Sequence, residues 1–293
     1  MIEKFLDYLR YERNRSELTV TAYGQSLRDF EAYFKSRDSQ LSWESIDSDI
    51  IRDWMESLMD KGDMASTVNC SLSAVRSFFR YALLHGLVKY DPSHVVKGPK
   101  KQKPLPYFVR ENEMNRLLDI QEMWGSEYKD IRARTIILLF YSTGMRLAEL
   151  VGLDSYDVDF VSRQLKVTGK RNKQRIIPFG DEVDAALRSY IQLRDKTVGV
   201  ATEALFTSEN GSRISRSQVG VLVKKYLSQV TTQKKRSPHV LRHSFATAML
   251  NNGAGLESVR KLLGHESVKT TEIYTHTTFE QLKKVYKEAH PRA

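Results

Sequence analysis

One stretch near the end of the 293-residue chain, residues 237–276, constrains the fold and the chemistry more than any other. Its first part predicts a helix that begins at Pro238, because Ser237 is a favoured N-cap and proline suits the first helical position. His239 and Arg242 would then share one face of that helix, three residues apart. The pattern places two donors for an anion near a helix N-terminus.

The second part of the same stretch adds an imidazole and a phenol. Gly264 suits a helix C-cap and would leave His265 on the following turn, and Tyr274 comes nine residues later in a short predicted helix that Ser267 would cap. A helix N-terminus with Arg and His can hold a phosphate, and a phenol facing that phosphate can attack it and form a phosphotyrosine. Each residue alone has an ordinary explanation, such as a salt-bridged Arg or a core Tyr. The complete set indicates phosphate chemistry.

Charge separates the chain into two parts. Residues 1–100 contain 14 Lys and Arg against 15 Asp and Glu, whereas residues 101–293 contain 32 against 21, so the net charge of +10 lies in the second part. This distribution predicts a polyanion partner, although solubility alone could explain a basic balance. The single cysteine, Cys70, excludes an internal disulfide and is expected to be buried. The absence of a long apolar run or a signal peptide predicts a cytoplasmic protein without a membrane segment.

The first 95 residues predict a bundle of four or five helices. Apolar residues recur there at helical spacing, and polar or acidic residues precede the predicted helices. The predicted helices cover residues 2–13, residues 18–34, a segment after residues 47–49, and a segment capped by Ser66 or Thr67 that ends at Gly86. Residues 96–108 follow as a basic, proline-rich linker, expected to be an extended tether.

Residues 109–293 predict a mixed domain. A strongly apolar helix over residues 131–141 ends at Gly144, and three short β-segments follow. The other predicted elements are helices over residues 111–123, 182–194, 216–227 and 279–288, with strands over residues 157–160, 164–168 and 175–179. The fold class is therefore mainly α with a small β-sheet. The last helix is amphipathic and could pack on its own domain or on a neighbouring protomer.

Charged residues also follow the Gly144 turn and form the tip of a predicted hairpin, where turns restrict the backbone. Arg146 follows the Gly144 turn, and Glu149 is close enough in sequence to orient it, although a plain Arg–Glu pair on a helix surface is the simpler reading. Residues 169–173 form a basic hairpin tip that could reach a phosphate or lie in solvent.

The motifs that contain these residues resemble, in the same order, those of the tyrosine recombinases, also called the phage integrase family. They are Thr143-Gly-Met-Arg-Leu-Ala-Glu, Gly169-Lys-Arg-Asn-Lys, His239-Val-Leu-Arg-His-Ser-Phe-Ala-Thr, and Leu263-Gly-His followed by Tyr274. The resemblance covers the whole chain and is strongest to the XerC/XerD branch. It implies a SAM-like, helical core-binding domain over residues 1–95 and a catalytic domain over residues 109–293 with a protomer-docking C-terminal helix.

The resemblance also implies a role for each candidate residue. Tyr274 would attack a DNA phosphodiester to give a 3′-phosphotyrosyl link, while Arg146 and Arg242 would stabilise the charge on the phosphate. Lys170 would protonate the leaving 5′-oxygen, with Lys173 as its rival in the same hairpin. His239 would act as an acid, base or hydrogen-bond partner and His265 would bind a non-bridging oxygen. The resemblance implies no cofactor, ATP or metal, because the ester stores the bond energy. The sequence agrees, since no Asp/Glu cluster suits Mg²⁺ and the pair His239 and His243, whose spacing could suit zinc, lacks an evident third ligand.

Three functions remain open at this point. The resemblance favours a site-specific recombinase that resolves chromosome dimers at cell division, with integration or inversion by a mobile element as the alternative. A non-catalytic, sequence-specific DNA-binding protein and a type IB-like topoisomerase are the other two. The implied partners are a double-stranded DNA recombination site and a homo- or hetero-tetrameric synaptic complex, with or without a second Xer-type recombinase and a DNA translocase.

Overall fold

The protein is described by a computed structural model that covers residues 1–100, 107–169, 172–199, 202–264 and 276–293, with the backbone alone at residue 121 and residues 276–279. The chain divides into two compact units, Met1–Pro104 and Leu105–Ala293. Helices dominate both units, and a three-stranded sheet lies in the second. Among the described residues, no helix combines the length and the apolar character needed to cross a bilayer.

The first unit is a helical bundle. Two of its long helices begin at short polar side chains that cap them: Ser16 accepts a hydrogen bond from the amide of Thr19, and Asp47 accepts from the amides of Asp49 and Ile50. The elements are α1 (Ile2–Asp7), a π-helical turn (Tyr8–Glu12), α2 (Glu17–Arg37), α3 (Ser48–Asp60) and α4 (Ala65–Leu84). The predicted bundle is confirmed.

An aromatic cluster forms the centre of this bundle. Phe5, Phe30, Trp43 and Phe78 are buried, and the ring centroids of Trp43 and Phe78 lie 4.3 Å apart. Large aromatic side chains bury much apolar area each, which lets a unit of about one hundred residues form its own core. The helix predicted over residues 18–34 contributes Phe30, so its apolar face lies on the core.

Two expectations for this unit are wrong. Helix α4 begins at Ala65 with Met64 at the N-cap, so neither Ser66 nor Thr67 caps it, and both lie inside the helix. Cys70 is exposed rather than buried, although it belongs to the same helix. The apolar stripe of α4 runs through Val68, Leu72 and other residues on the opposite face, which leaves position 70 in solvent.

The described ends of the 96–108 segment are held by the units that they adjoin. The carbonyl of Val96 accepts a hydrogen bond from Arg76, and the carbonyl of Pro99 accepts one from Asn69 at 2.9 Å. On the other side, the carbonyl of Phe108 accepts a hydrogen bond from Gln233, and the amide of the next residue, Val109, donates to the hydroxyl of Ser244 at 2.8 Å. Residues 101–106 lie outside the described part of the chain.

In the second unit, helices pack around the buried C-terminal half of one helix, Tyr128–Thr143. Every side chain from Ile136 to Tyr141 is inaccessible to solvent, as the unbroken apolar run predicts. The helices are α5 (Glu111–Asp119), α6 (Tyr128–Thr143), α7 (Leu147–Val151), α8 (Asp181–Thr197), α9 (Arg216–Leu227), α10 (Pro238–Asn251), α11 (Leu256–Leu263) and α12 (His276–Ala289). The sequence predicts a single helix to residue 123, but α5 ends at Asp119. Ile120 has an extended backbone, and a separate 3₁₀ turn follows at Gln121–Met123.

The sheet is antiparallel and follows chain order. Its strands are β1 (Val158–Asp159), β2 (Gln164–Thr168) and β3 (Gln174–Pro178), with Leu165 opposite Ile177. Leu165 and Val167 are buried and alternate with more exposed neighbours, so one face of the sheet lies on the core. All three strands were expected from the sequence, and the fold class, mainly α with a small β-sheet, is confirmed.

Gly144 ends α6 in the left-handed conformation, with φ of 59°. A β-carbon at this position would lie 2.4 Å from Phe245 and 2.8 Å from Leu263, so both the backbone and the packing require glycine. We expect Gly144→Ala to lower the free energy of unfolding by about 3 kcal/mol or more, as the sum of backbone strain and overpacking. Chemical denaturation of the two proteins measures this difference.

Gly253 offers a matched control. Its φ is 87°, but no atom lies within 4 Å of the β-carbon that alanine would add. Gly253→Ala should therefore lower the free energy of unfolding only by the cost of backbone strain, about 1 kcal/mol. Equal losses in the two variants would contradict the packing argument for Gly144.

Helix α12 packs on its own domain. Leu282, Tyr286 and Ala289 are buried against residues of α10 and α11, including Phe245 and Leu262. Arg292, just beyond the helix, donates to both carboxylate oxygens of Glu182 at 2.9 and 2.8 Å. The described chain thus holds this helix in cis, and docking of α12 on a neighbouring protomer stays a proposal.

His290 is buried beside α12 and is neutral in the fold. Its Nε2 lies 3.1 Å from the carbonyl of Tyr141, and its ring stacks on Tyr286 and Phe245. Burial lowers the pKa of His290 to about 4, and the charge of Arg292 acts in the same direction. Because the unfolded chain binds this proton more readily, its contribution to stability is present at neutral pH and is lost as pH falls from 6.5 toward 4.

We expect the wild type to lose about 2 kcal/mol more stability than His290→Gln between pH 7 and pH 5. Urea unfolding at both pH values measures this difference, because the variant lacks the titrating group and retains the other ionisable residues. An equal loss in the two proteins would show that His290 does not carry the pH dependence.

Candidate active site

Arg146 is held at the turn between α6 and α7. Its amide donates to Glu149 Oε2 at 2.7 Å, its Nη1 donates to Glu149 Oε1 at 2.8 Å, and its Nη2 donates to the carbonyl of Gly264 at 3.0 Å. Glu149 is only 2% exposed, so the reading of a plain surface ion pair is wrong. The prediction that Glu149 orients Arg146 is confirmed.

Arg242 lies in the second turn of α10 and reaches two helix ends. Its Nη1 donates to the carbonyl of Gly144 at 2.5 Å, and its Nη2 donates to the carbonyl of Leu263 at 2.7 Å. The last carbonyls of a helix have no partner within the helix, and their partial negative charge suits a cation. Arg242 therefore ties the C-terminal ends of α6 and α11 to α10.

The N-terminus of α10 begins as the sequence predicts, at Pro238 after Ser237. The hydroxyl of Ser237 makes no capping hydrogen bond. The sequence therefore predicted the start of the helix correctly, although the capping contact that suggested it is absent. His239 is exposed in the first turn of α10, three residues before Arg242. It is thus accessible to a ligand that reaches this end of the helix.

Arg175 belongs to the same cluster and was missed from the sequence. Its Nη1 and Nη2 donate to the two oxygens of Glu149 at 2.7 and 2.9 Å, and its Nε donates to the carbonyl of Leu262 at 3.1 Å. The alternation of inward-facing and outward-facing residues in β3 could have revealed it. Arg175 lies two residues before the buried Ile177 in β3, which places both on the same face of the strand.

The cluster carries an excess of positive charge. It contains three guanidinium groups and one carboxylate: Arg146 and Arg175 form ion pairs with Glu149, and Arg242 is close enough to feel the charge of all three. Burial alone would raise the pKa of Glu149, but its hydrogen bonds with Arg175 and Arg146 leave that pKa below its ordinary value. Burial and the two neighbouring arginines lower the pKa of Arg242 to about 10, so its guanidinium is charged at neutral pH. Such a site favours an anion.

The three remaining candidate residues, Lys170, His265 and Tyr274, lie outside the described residues. Only the first two have a described neighbour in the sequence, and those neighbours, Gly169 and Gly264, border the cluster. A β-carbon at Gly169 would lie 3.2 Å from Glu149 Oε1, and the Gly169 amide donates to the carbonyl of Lys173 at 2.7 Å, which closes the base of the hairpin. Gly264, the residue before His265, adopts the predicted left-handed C-cap with φ of 63°.

Among the described residues, no group of three or more His, Cys, Asp or Glu side chains is placed to hold a metal ion. The pair His239 and His243 therefore gains no third ligand from that part of the chain. The side chains that the described cluster offers to a ligand are guanidinium groups, which are donors for an anion.

Comparison with known sequences identifies this arrangement. Residues 107–281 match the profile of the phage integrase family, and residues 2–86 match the profile of the phage integrase N-terminal SAM-like domain. The chain is a member of the phage integrase family. It is accordingly a tyrosine recombinase, an enzyme class that breaks and rejoins DNA, and the resemblance drawn from the four motifs is confirmed.

Similar proteins cover the full length of this recombinase. Tyrosine recombinase XerC of Chlorobaculum tepidum is 37% identical over 99% of this chain and 94% of its own length. Tyrosine recombinase XerD of Staphylococcus epidermidis is 36% identical over 100% of this chain and 99% of its own length. Relatives named XerC and relatives named XerD are almost equally identical to this chain. Sequence similarity therefore places the recombinase in the Xer branch but does not separate XerC from XerD.

Solved structures agree on the fold. The XerH site-specific recombinase bound to difH substrate, in its pre-cleavage complex, has a TM-score of 0.70 at 22% identity and covers 96% of this chain and 83% of its own. A lambda integrase dimer bound to a COC′ core site has a TM-score of 0.67 at 18% identity, covering 94% of this chain and 97% of its own. At these identities the likeness concerns architecture.

Proposed function

We propose that this recombinase cuts double-stranded DNA at a specific site by attack of Tyr274 on the scissile phosphate. The Tyr274 oxygen bonds to phosphorus, the bond from phosphorus to the 5′-oxygen breaks, and a 3′-phosphotyrosyl link and a 5′-hydroxyl result. The 5′-hydroxyl of a partner strand reverses the step, so the ester conserves the bond energy without ATP. The observation that carries the proposal is the cluster of three guanidinium groups around one buried carboxylate.

Arg146 and Arg242 would hold the non-bridging oxygens of the phosphate. Their charge would stabilise the pentavalent transition state, in which negative charge on those oxygens increases. The hydrogen bonds to Glu149 and to helix-end carbonyls support this role, since they fix both side chains before DNA arrives. A preorganised donor costs little reorganisation at the moment of reaction.

The other roles follow the family motifs. Lys170 would act as the general acid that protonates the leaving 5′-oxygen, and the position of Gly169 beside Glu149 supports a place for this hairpin at the phosphate. His239 would assist proton transfer or donate a hydrogen bond, which agrees with its exposure at the start of α10. His265 would donate to a non-bridging oxygen.

The larger assembly is part of the proposal. Residues 1–95 would form the core-binding domain and residues 109–293 the catalytic domain, joined by the basic segment 96–108 along the DNA. Four protomers would bring two recombination sites together, with α12 of one protomer docking on the next. A second Xer-type recombinase and a DNA translocase would be further partners, and the reaction would take place in the cytoplasm.

We place the biological role in the resolution of chromosome dimers at cell division. The names XerC and XerD of full-length relatives at 36–37% identity support this choice. Integration or inversion by a mobile element uses the same chemistry and is the alternative. Recombination assays on a plasmid with two core sites would distinguish them by the site that the enzyme accepts.

Covalent trapping tests the reaction. Wild-type protein is incubated with nicked duplexes that carry candidate core sites from the source genome, quenched in SDS and analysed for a protein–DNA band. Cleavage beside a nick releases a short 5′-hydroxyl strand, which diffuses away and leaves the adduct without its reverse reaction. Peptide mapping should place the DNA on Tyr274.

The same assay separates the rival functions. Binding without an adduct on every core site would favour a non-catalytic DNA-binding protein. An adduct together with relaxation of supercoiled plasmid, and no recombinant product, would favour a topoisomerase. Recombinant product from paired sites supports the proposed exchange.

A further inference from the structure

We propose that Arg175 is a positioning residue for strand cleavage, which fixes the guanidinium of Arg146 through their shared partner Glu149. The inference rests on the proposed function, because it assumes that Arg146 acts on the scissile phosphate. Arg175 is not among the six residues that the family motifs assign to catalysis.

The first argument is geometric. Arg175 donates Nη1 and Nη2 to separate oxygens of Glu149, which aligns the carboxylate with the plane of the guanidinium. Glu149 Oε1 also accepts from Arg146 Nη1 at 2.8 Å, so a rotation of the carboxylate would displace Arg146. Arg175 thus sets the angle at which Glu149 presents its oxygens to Arg146.

The second argument concerns the end of α11. Three consecutive carbonyls there accept hydrogen bonds from three different arginines: Leu262 from Arg175 at 3.1 Å, Leu263 from Arg242 at 2.7 Å, and Gly264 from Arg146 at 3.0 Å. A shift of one carbonyl would move its neighbours. Arg175 therefore fixes one end of the backbone segment that accepts the hydrogen bond of Arg146 at Gly264.

Arg175 itself is not a phosphate ligand. Its side chain is 9% exposed, and its Nε, Nη1 and Nη2 atoms each donate to a carbonyl or carboxylate oxygen. The side chain of Arg146, by comparison, is 38% exposed. The two arginines share one carboxylate, but only Arg146 presents an accessible surface to a ligand.

A purely structural ion pair is the competing explanation. Replacement of Arg175 would then reduce the stability of the protein and slow the cleavage of every substrate by the same factor. If Arg175 is a positioning residue, the pattern differs. Its replacement should slow cleavage only of a substrate whose scissile phosphate carries the negative charge that Arg146 stabilises. A methylphosphonate at the scissile position removes that negative charge while it keeps the phosphorus centre, so it reveals which residues act through charge.

The experiment measures single-turnover cleavage of nicked core-site duplexes with either a phosphodiester or a methylphosphonate at the scissile position. Arg175→Lys keeps the positive charge but cannot make the paired Nη contacts. We expect it to cleave the phosphodiester about 100-fold more slowly than the wild type, as for a small misplacement of a catalytic group. On the methylphosphonate, the rates of the two proteins should be nearly equal.

A double-mutant cycle gives a second readout. If Arg175 acts through Arg146, Arg146→Ala with Arg175→Lys should be no slower than Arg146→Ala alone. Arg188→Lys is the matched control, because Arg188 forms an exposed ion pair with Asp184 in the same domain. It should cleave both substrates at the wild-type rate.

The possible results separate a failure of the positioning role of Arg175 from a failure of the proposed function. Equal slowing of Arg175→Lys on both substrates, or slowing that multiplies with that of Arg146→Ala, would overturn the positioning role. So would failure of both Arg175→Lys and Arg175→Met to fold, since Arg175 would then be a structural requirement. If Arg146→Ala cleaves the phosphodiester at the wild-type rate, the proposed function of Arg146 fails instead.

Discussion

Tyr274→Phe is expected to bind core-site DNA as tightly as the wild type and to form no covalent adduct. The substitution removes one phenolic oxygen, which is the atom that would bond to phosphorus, and leaves the charged groups of the cluster intact. The expected effect is therefore complete loss of the SDS-resistant protein–DNA band, with an unchanged dissociation constant. Gel shift and covalent trapping on the same nicked duplex measure both quantities.

Tyr156→Phe is the control for this prediction. Tyr156 is exposed in the same domain and donates its hydroxyl to Asp154 at 2.9 Å, so the control removes an accessible phenolic oxygen away from the arginine cluster. It should form the adduct at the wild-type level. An adduct in Tyr274→Phe would identify another nucleophile, and loss of DNA binding would show that Tyr274 has a structural role.

The second large effect is expected for Arg242→Lys. An ammonium cannot donate to the carbonyls of Gly144 and Leu263 and also face a phosphate in the fork geometry of a guanidinium. We expect the single-turnover cleavage rate to fall by about 10³-fold, the upper part of the range for loss of one preorganised transition-state donor. The same nicked-duplex assay measures the rate.

Stability is a necessary second measurement for this variant. Arg242 is 8% exposed, and each carbonyl that loses its donor in the buried site costs about 1–3 kcal/mol. Cleavage should therefore be measured well below the melting temperature of the variant. A cleavage rate near that of the wild type, in a folded protein, would show that the structural contacts of Arg242 are its main contribution.

Local sequence patterns predicted much of the fold. Helix α9 occupies the predicted residues 216–227, and the buried centre of α6 corresponds to the predicted apolar run 131–141. These segments were predictable because the helical state and the burial of a continuous segment follow largely from its own pattern of apolar residues. The start of α4 and the exposure of Cys70 were missed, since both depend on which neighbours the helix meets rather than on its own composition.

The candidate site was predictable in parts. The sequence indicated the pairing of Arg146 with Glu149, three residues apart, because a short helix brings them together. It did not reveal that Arg175 completes the cluster, or that carbonyls 262–264 connect the arginines, because those contacts join segments 21 to 118 residues apart. Tertiary packing determines such contacts. The roles assigned to the six motif residues remain predictions.

The exposed thiol of Cys70 has a practical consequence. It is the single cysteine of the chain and it lies on a helix surface, so one maleimide dye would attach per protein without any engineered substitution. Photobleaching of such dyes on one DNA molecule would count the subunits present before, during and after exchange. Storage without a reducing agent would, for the same reason, join chains in pairs through this position alone.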